Sequence, residues 1–253
     1  MKYFLVKQLF KVSFFPLCFI AIIWFVFLID RHYHLGLTEW GMSPRTAIGL
    51  RGILFSPLLH GNLEHIASNS FPILILGMMI FYFYKPIAWP VFWWIYFICG
   101  IWLWIGGRNN AEGTFLHIGA SGLIYAFATF LFFSGVFRKH IPLMVVSALT
   151  LFLYGSMMWG IFPFKNEISW EAHLFGAIAG LLVAFNYRKE GPQRKVYEWE
   201  NEEEDDTDPK DYSGDGFVEN IEGQNDIIIN YHFVPKPLDL PQKDKKDEES
   251  KES

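Results

Sequence analysis

Three short phrases in the sequence place a serine, histidines and an amide among small residues. They are His60-Gly-Asn-Leu-Glu-His65-Ile-Ala-Ser-Asn69, Gly119-Ala-Ser121-Gly122 and Ala172-His173-Leu-Phe-Gly176-Ala-Ile-Ala-Gly180. Each phrase opens a long apolar segment, and polar or ionisable groups at membrane depth are costly, so they are functional candidates. A hydroxyl, a base and nearby hydrogen-bond donors are the parts of a hydrolytic site that forms an oxyanion.

Ser121 is the candidate nucleophile of this set. We place it near the N-terminal end of a helix, where free N–H groups and a positive dipole make a hydroxyl easier to activate and provide donors for an oxyanion. The alternative is helix packing, because serine and glycine often let membrane helices approach closely. The phrase alone favours packing, whereas its combination with the other two phrases favours catalysis.

His173 is the candidate general base. His173, Gly176 and Gly180 follow an i, i+3, i+7 spacing, so they share one helix face on which the glycines admit a neighbouring helix. A histidine near a helix N-terminus is biased toward its neutral form, which suits a base that accepts the Ser121 proton. Glu171 points to another face, so the sequence predicts a Ser–His dyad and not a triad. The alternative is a histidine that caps or packs the helix.

His65 and Asn69 follow an i, i+4 spacing, which puts both on one helix face as candidate oxyanion donors. His60, one turn earlier, fits a structural polar cap as well as it fits a role in the site. Glu64 lies between the histidines, but neither zinc-protease spacing of His and Glu is present. We therefore expect no metal and no cofactor.

The composition predicts a multi-pass membrane protein with a polar appendage. Of the 253 residues, 52% are hydrophobic and 19% aromatic, and the mean hydropathy is +0.21. Residues 1–187 carry 11 basic and 6 acidic side chains, a balance of +5, whereas residues 188–253 carry 10 and 20, a balance of −10. The sequence shows no nucleic-acid motif or compact basic patch, which argues against nucleic-acid binding.

Six segments are long and apolar enough to cross a bilayer core of roughly 30 Å as helices. Lipid requires a backbone that satisfies its own hydrogen bonds, so an all-α bundle is expected. We interpret the first segment as a retained span, because no signal-peptide cleavage site follows it. Cys18 and Cys99 lie inside apolar segments as small hydrophobic residues. The predicted spans are residues 12–29, 66–84, 86–105, 115–137, 141–164 and 168–187.

Basic residues in the connections predict the orientation of the bundle. Ten of them fall on the side of both termini and five on the other side, so both termini are predicted to be cytoplasmic. The second, fourth and sixth spans then run from outside to inside, each beginning at one of the three phrases. At 1.5 Å per residue, Ser121 and His173 are expected to lie roughly 7–9 Å below the outer ends of their segments.

Two further regions flank these spans. Residues 30–64 form a long loop rich in apolar side chains, which we expect to lie in the membrane interface. Residues 188–253 have too few apolar and too many charged residues to bury a core, so a disordered acidic cytoplasmic tail is predicted. The expected domains are therefore a six-span domain over residues 1–187 and the tail over residues 188–253.

The three phrases, in this order and on the second, fourth and sixth spans, resemble the signature of the rhomboid intramembrane serine proteases. The resemblance covers residues 8–187 and implies a six-transmembrane-helix rhomboid-like bundle in the inner membrane of a bacterial cell. It implies Ser121 as nucleophile, His173 as base, and His65, Asn69 and the Ser121 backbone N–H around the oxyanion. Gly119 and His60 belong to the supporting set. Gly122, Gly176 and Gly180 pack the helices, and Tyr125 packs beneath the catalytic histidine or is an ordinary core aromatic.

The implied activity is endopeptidase cleavage of transmembrane protein substrates in the lipid bilayer. One departure concerns the first loop, where many rhomboids carry Trp-Arg eight residues before the first histidine. Here Leu50-Arg51 lies one residue further from His60. One alternative is a non-catalytic rhomboid-like protein that holds membrane clients. A transporter is a more distant one, because the polar groups cluster near one surface and not at mid-membrane.

Overall fold

The computed structural model describes residues 2–109, 115–153, 159–163, 169–191 and 193. Across these ranges the chain is helical, with one isolated β-bridge between Met42 and His117, which confirms the predicted all-α class. The six longer helices are α1 (Lys2–Tyr33), α2 (Leu63–Phe83), α3 (Ala88–Gly106), α4 (Ser121–Arg138), α5 (Ile141–Leu153) and α6 (Trp170–Asn186).

In the part of the chain that the structure describes, four helices are long and apolar enough to cross a membrane. They are Val6–Tyr33 within α1, and the whole of α2, α3 and α4. Helix α6 is apolar but has only 17 residues. The predicted fifth span begins with α5, but residues 154–158 and 164 lie outside the described residues, and residues 160–163 form turns. The count of six spans stays a prediction.

Helix α4 begins at Ser121 and not at residue 115 as predicted. The preceding residues pair instead with the first loop: Met42 and His117 exchange backbone hydrogen bonds of 2.9 and 2.8 Å, and the Gly119 N–H donates to the Ser56 carbonyl at 2.9 Å. Hydropathy cannot distinguish an apolar extended segment from the start of an apolar helix. Ser121 consequently occupies the first turn of α4, where backbone N–H groups are free of helical partners.

The core of the bundle surrounds α4. Ile124, Phe130 and Leu131 of this helix are at most 1% exposed. Helix α1 packs on α2, where the Trp24 indole N–H donates to the Ser70 hydroxyl at 3.0 Å. Because α4 is buried on several sides, packing holds the residues around its first turn in place.

Arg138 closes the end of the bundle opposite Ser121. The predicted span of residues 115–137 leaves Arg138 in a connecting loop, yet Arg138 is the last residue of α4 and only 4% exposed. Its guanidinium donates to the carbonyls of Ser134, Tyr187 and Glu190 and lies 5.3 Å from the centre of the Tyr84 ring. A cation at a helix C-terminus satisfies carbonyls that lack helical partners. Arg138 thereby joins the ends of α2, α4 and α6.

The first loop contains short helical turns over Leu37–Trp40, Ile48–Arg51, Gly52–Phe55 and Ser56–Leu58. Several of its apolar side chains are exposed, as expected for an interfacial segment, although its place in a membrane stays a prediction. Arg51 donates to the Glu39 carbonyl at 2.7 Å and lies 4.8 Å from the Trp40 ring centre. The predicted acidic tail falls, from residue 194 onward, outside the described residues.

Candidate active site

Ser121 and His173 meet at one end of the bundle. Ser121 is the first residue of α4, and His173 is the fourth residue of α6. The Ser121 hydroxyl donates to His173 Nε2 at a distance of 2.7 Å. His173 is 7% exposed, so bulk water does not compete strongly for this hydrogen bond. The distance between the two atoms, and the arrangement of a hydroxyl donor with a ring-nitrogen acceptor, are those that a nucleophile and its general base require.

The second ring nitrogen of His173 is bound by a backbone carbonyl. His173 Nδ1 donates to the Gly160 carbonyl oxygen at 2.8 Å. A carbonyl oxygen only accepts, so Nδ1 carries the ring proton and Nε2 is left as the acceptor for Ser121. No feature of the sequence indicates this partner, because every residue has a carbonyl group.

Tyr125 packs on the ring of His173. The ring centroids are 4.3 Å apart and the ring planes differ by 14°, which is a stacked arrangement. Tyr125 is one helical turn after Ser121, so the helix that carries the serine also supplies a surface for the histidine ring. With one nitrogen bound and one face covered, the imidazole has little freedom to rotate.

The three glycines of the packing prediction lie where α4 and α6 cross. A side chain at Gly176 would overlap the carbonyl group of Gly122, and one at Gly180 would overlap the Ala126 carbonyl. A Cβ at Gly122 would approach the Ala172 carbonyl oxygen to 3.1 Å. Only glycine permits this backbone approach, which brings the first turns of the two helices close enough for the Ser121–His173 hydrogen bond.

His60, His65 and Asn69 form a second group beside the serine. The Asn69 side-chain amide donates to His60 Nε2 at 2.9 Å, and the rings of His60 and His65 are 4.9 Å apart. Asn69 is 4% and His60 3% exposed. Asn62 caps α2 by accepting from the His65 backbone N–H at 2.8 Å, which fixes where the helix that carries His65 and Asn69 begins.

Gly119 connects this group to the serine. A Cβ at this position would overlap His65 Nε2 and lie 3.7 Å from Asn69 Nδ2, and its φ of 106° is unfavourable for other residues. The side chains of His65 and Asn69 therefore lie against the backbone just before Ser121. The roles assigned to these three residues stay predictions.

A further polar cluster near the dyad was not predicted from the sequence, which placed only Glu171, on another face than His173. It consists of Arg108, His117, Ser169 and Glu171. His117 and Glu171 are nearly fully buried, and buried polar groups in an apolar sequence are the signal by which the cluster could have been noticed. Among the described residues, no three His, Cys, Asp or Glu side chains form a group that could hold a metal ion.

The apolar helical bundle, with a half-buried serine and a buried histidine at one end, is that of an integral membrane protein. The family model described as "Rhomboid domain" matches residues 49–190. This match includes all three phrases and more than half of the chain. The chain belongs to the rhomboid family.

Similar relatives occur in mycobacteria. Uncharacterized protein Rv1337 of Mycobacterium tuberculosis (strain ATCC 25618 / H37Rv) is 36% identical over 185 residues, which is 71% of this chain and 76% of the relative. Uncharacterized protein ML1171 of Mycobacterium leprae (strain TN) is 34% identical over 190 residues, covering 71% of this chain and 72% of the relative.

Proposed function

We propose that this protein is an intramembrane serine endopeptidase that acts through a Ser121–His173 dyad. The observation that carries the proposal is the 2.7 Å hydrogen bond from the Ser121 hydroxyl to His173 Nε2. A packing serine would need no base, and a capping histidine would need no hydroxyl partner. Membership of the rhomboid family supports the same activity, since the family's signature serine and histidine are both present.

In the proposed reaction, Ser121 Oγ attacks the carbonyl carbon of the substrate peptide bond while its proton moves to His173 Nε2. The imidazolium that forms keeps its Nδ1–H bonded to the Gly160 carbonyl, whose dipole stabilises the positive charge. The substrate oxyanion would accept hydrogen bonds from His65, Asn69 and the Ser121 backbone N–H. His173 then donates its proton to the leaving amine, and water hydrolyses the acyl-enzyme by the same steps in reverse.

The substrates that fit this proposal are transmembrane proteins. The dyad lies at the starts of α4 and α6, so it would meet a substrate helix near one end of its membrane segment. The substrate must unwind locally to expose a peptide bond, because its helical carbonyls and N–H groups are already paired. We therefore expect cleavage at small or helix-destabilising residues.

Covalent labelling tests the proposed function directly. A fluorophosphonate probe should label the wild-type protein and leave Ser121→Ala unlabelled at equal amounts of folded protein. Labelling of both would show that another hydroxyl reacts. Labelling of neither, together with no cleavage of a reporter transmembrane protein, would favour the non-catalytic protein that holds membrane clients.

His65→Ala and Asn69→Ala are each expected to slow turnover without removing the dyad. An oxyanion donor acts mainly in the transition state, and losing one typically costs on the order of 10²–10³ in kcat. The two donors and the backbone N–H converge on one atom, so we expect partial defects, larger for His65. The measurement is kcat per folded molecule in one detergent. Wild-type kcat with lowered melting temperature in both variants would assign these residues to packing alone.

His60 is expected to link the stability of the fold to pH. Burial, reinforced by the neighbouring His65, lowers the pKa of His60 from 6.5 to about 3. The unfolded chain therefore binds a proton below pH 6.5 that the folded chain does not, so stability decreases as the pH falls from 6.5 toward 3. The check is the melting temperature at several pH values. His60→Ala should melt lower at pH 7 but show a shallower decline in acid; an unchanged slope would contradict the assignment.

The proposed topology has six spans, with both termini and the acidic tail of residues 188–253 in the cytoplasm. Reporter fusions after residue 195 and within the first loop should give opposite signals, cytoplasmic for the tail and external for the loop. The physical reason is the excess of basic residues in the connections on the side of the termini. An external signal at the tail would invert the bundle and place the dyad at the cytoplasmic surface.

A further inference from the structure

Two polar links join the segment before α4 to the first turn of α6. In the first, the Ser169 hydroxyl donates to His117 Nδ1 at 2.5 Å, while His117 Nε2 donates to the Arg108 carbonyl at 2.9 Å. In the second, Arg108 Nε lies 3.3 Å from Glu171 Oε1. Ser169 is the residue before α6, and Glu171 is in its first turn, two residues before His173.

One side of these links is already fixed in place. His117 exchanges two backbone hydrogen bonds with Met42, and Gly119 donates to Ser56, so the segment that leads to Ser121 is tied to the first loop. The Arg108 guanidinium also lies 4.6 Å from the Phe115 ring centre. The links therefore attach the start of α6 to a segment that has little freedom of its own.

Because these groups are buried, the two polar links favour one arrangement of the first turn of α6. The His117 and Glu171 side chains are only 2% and 3% exposed. Removing one partner of an ion pair with a buried carboxylate is unfavourable, so the pair favours the arrangement of α6 in which Glu171 meets the partly exposed Arg108. Glu171 also lies at the helix end where a negative charge is favoured. The glycine crossing sets how closely α4 and α6 approach, whereas the polar links act on the residues at the very start of α6.

We infer that Arg108, His117, Ser169 and Glu171 are positioning residues that hold the first turn of α6 so that His173 Nε2 faces the Ser121 hydroxyl. They do not touch the reacting atoms; they act through the backbone of residues 169–173. The inference rests on the proposed protease function for its catalytic consequence. Its structural consequence, that the cluster orders the start of α6, can be measured without enzymatic activity.

Glu171→Gln should lower kcat, and the rate of fluorophosphonate labelling at Ser121, about ten- to hundredfold with little change in KM. A displacement of about 1 Å in a reacting group costs a factor of this size. His117→Phe, which keeps the ring but loses both hydrogen bonds, should act similarly. Glu171→Asp should recover part of the rate, and the Arg108→Gln/Glu171→Gln double variant should be no slower than Glu171→Gln alone. Glu64→Gln, an exposed acid in the first turn of α2, is the matched control.

Hydrogen–deuterium exchange of the full chain gives the activity-independent readout. Glu171→Gln should speed exchange at residues 173–176, whose N–H groups bond the carbonyls of residues 169–172, and leave α2 and α3 as in the wild type, also in a Ser121→Ala background. A Glu171→Gln variant with wild-type kcat per folded molecule, even at a lower melting temperature, overturns the inference and leaves the proposed protease intact. Absence of labelling in the wild type overturns the proposed protease, and exchange then decides whether the cluster orders α6.

Discussion

Ser121→Ala and His173→Ala are each expected to abolish cleavage of a reporter transmembrane substrate while the protein still inserts and folds. In the proposed mechanism the hydroxyl and the imidazole act as one unit, since proton transfer from Ser121 to His173 accompanies attack. Loss of either member of such a unit costs on the order of 10⁴–10⁶ in kcat, and the double variant should be about as inactive as either single one. The measurement is initial rate of cleavage per folded molecule.

Ser134→Ala provides the control for the serine variant. Ser134 lies in the same helix, thirteen residues after Ser121, which is about 20 Å along the helix axis. This variant loses a buried hydroxyl without touching the dyad, so it should keep its activity. Full activity of Ser121→Ala, or a double variant far less active than both single ones, would contradict the dyad.

Gly176→Ala is expected to lower both stability and activity by separating α4 from α6. The added Cβ would overlap the Gly122 carbonyl, so the helices must move apart by about 1 Å, enough to lose roughly a factor of 10² in rate. The hydrogen bond from Ser121 to His173 spans this same crossing and would lengthen with it. Alanine is a better helix former than glycine by about 1 kcal/mol, so a fall in melting temperature would come from the contact and not from helix propensity.

Gly61→Ala is the matched control for this prediction. Its Cβ would lie 3.6 Å from Ile118 Cδ1, an ordinary van der Waals distance. Melting temperature and kcat of both variants should be measured in the same detergent. If Gly176→Ala melted at or above the wild-type temperature with unchanged kcat, the close crossing would not be what brings the serine to the histidine.

The pairing of Ser121 with His173 could be anticipated from the sequence, because two independent features led to it. The three phrases each begin an apolar segment, and segments separated by an even number of crossings begin on the same side of a membrane. The i, i+3, i+7 spacing of His173, Gly176 and Gly180 also predicted the face on which α6 meets a neighbour. The helical spacing of residues and the number of crossings between segments can both be taken from the sequence, without knowledge of any tertiary contact.

Other features depended on tertiary contacts that leave no trace in local sequence. The Gly160 carbonyl is one of many, and only folding brings it to His173. Arg138 has the pattern of a loop charge, yet it is buried because the ends of α4 and α6 offer it carbonyl groups and Tyr84, after α2, offers its ring. The predicted start of α4 is wrong because residues 115–120 are mostly apolar, whereas their backbone pairs with the first loop. The pattern of side chains along the sequence indicates which segments are polar and which are apolar. These features depend instead on which atoms form hydrogen bonds with backbone groups in the folded protein.

The hydrogen bond from His173 Nδ1 to the Gly160 carbonyl makes the protonation pattern of the base depend on a distant stretch of chain. Gly160 lies in the turn of residues 160–163, inside the apolar segment 141–164 that was predicted as the fifth span, and this turn precedes α6. If that turn moved away, the imidazole would be free to exchange its two nitrogens, and the tautomer with a proton on Nε2 cannot accept one from Ser121. Displacement of a single peptide group would thus switch the chemistry off with both side chains still in place. If the protein is the proposed protease, the position of this turn sets the fraction of molecules in which His173 can accept the Ser121 proton.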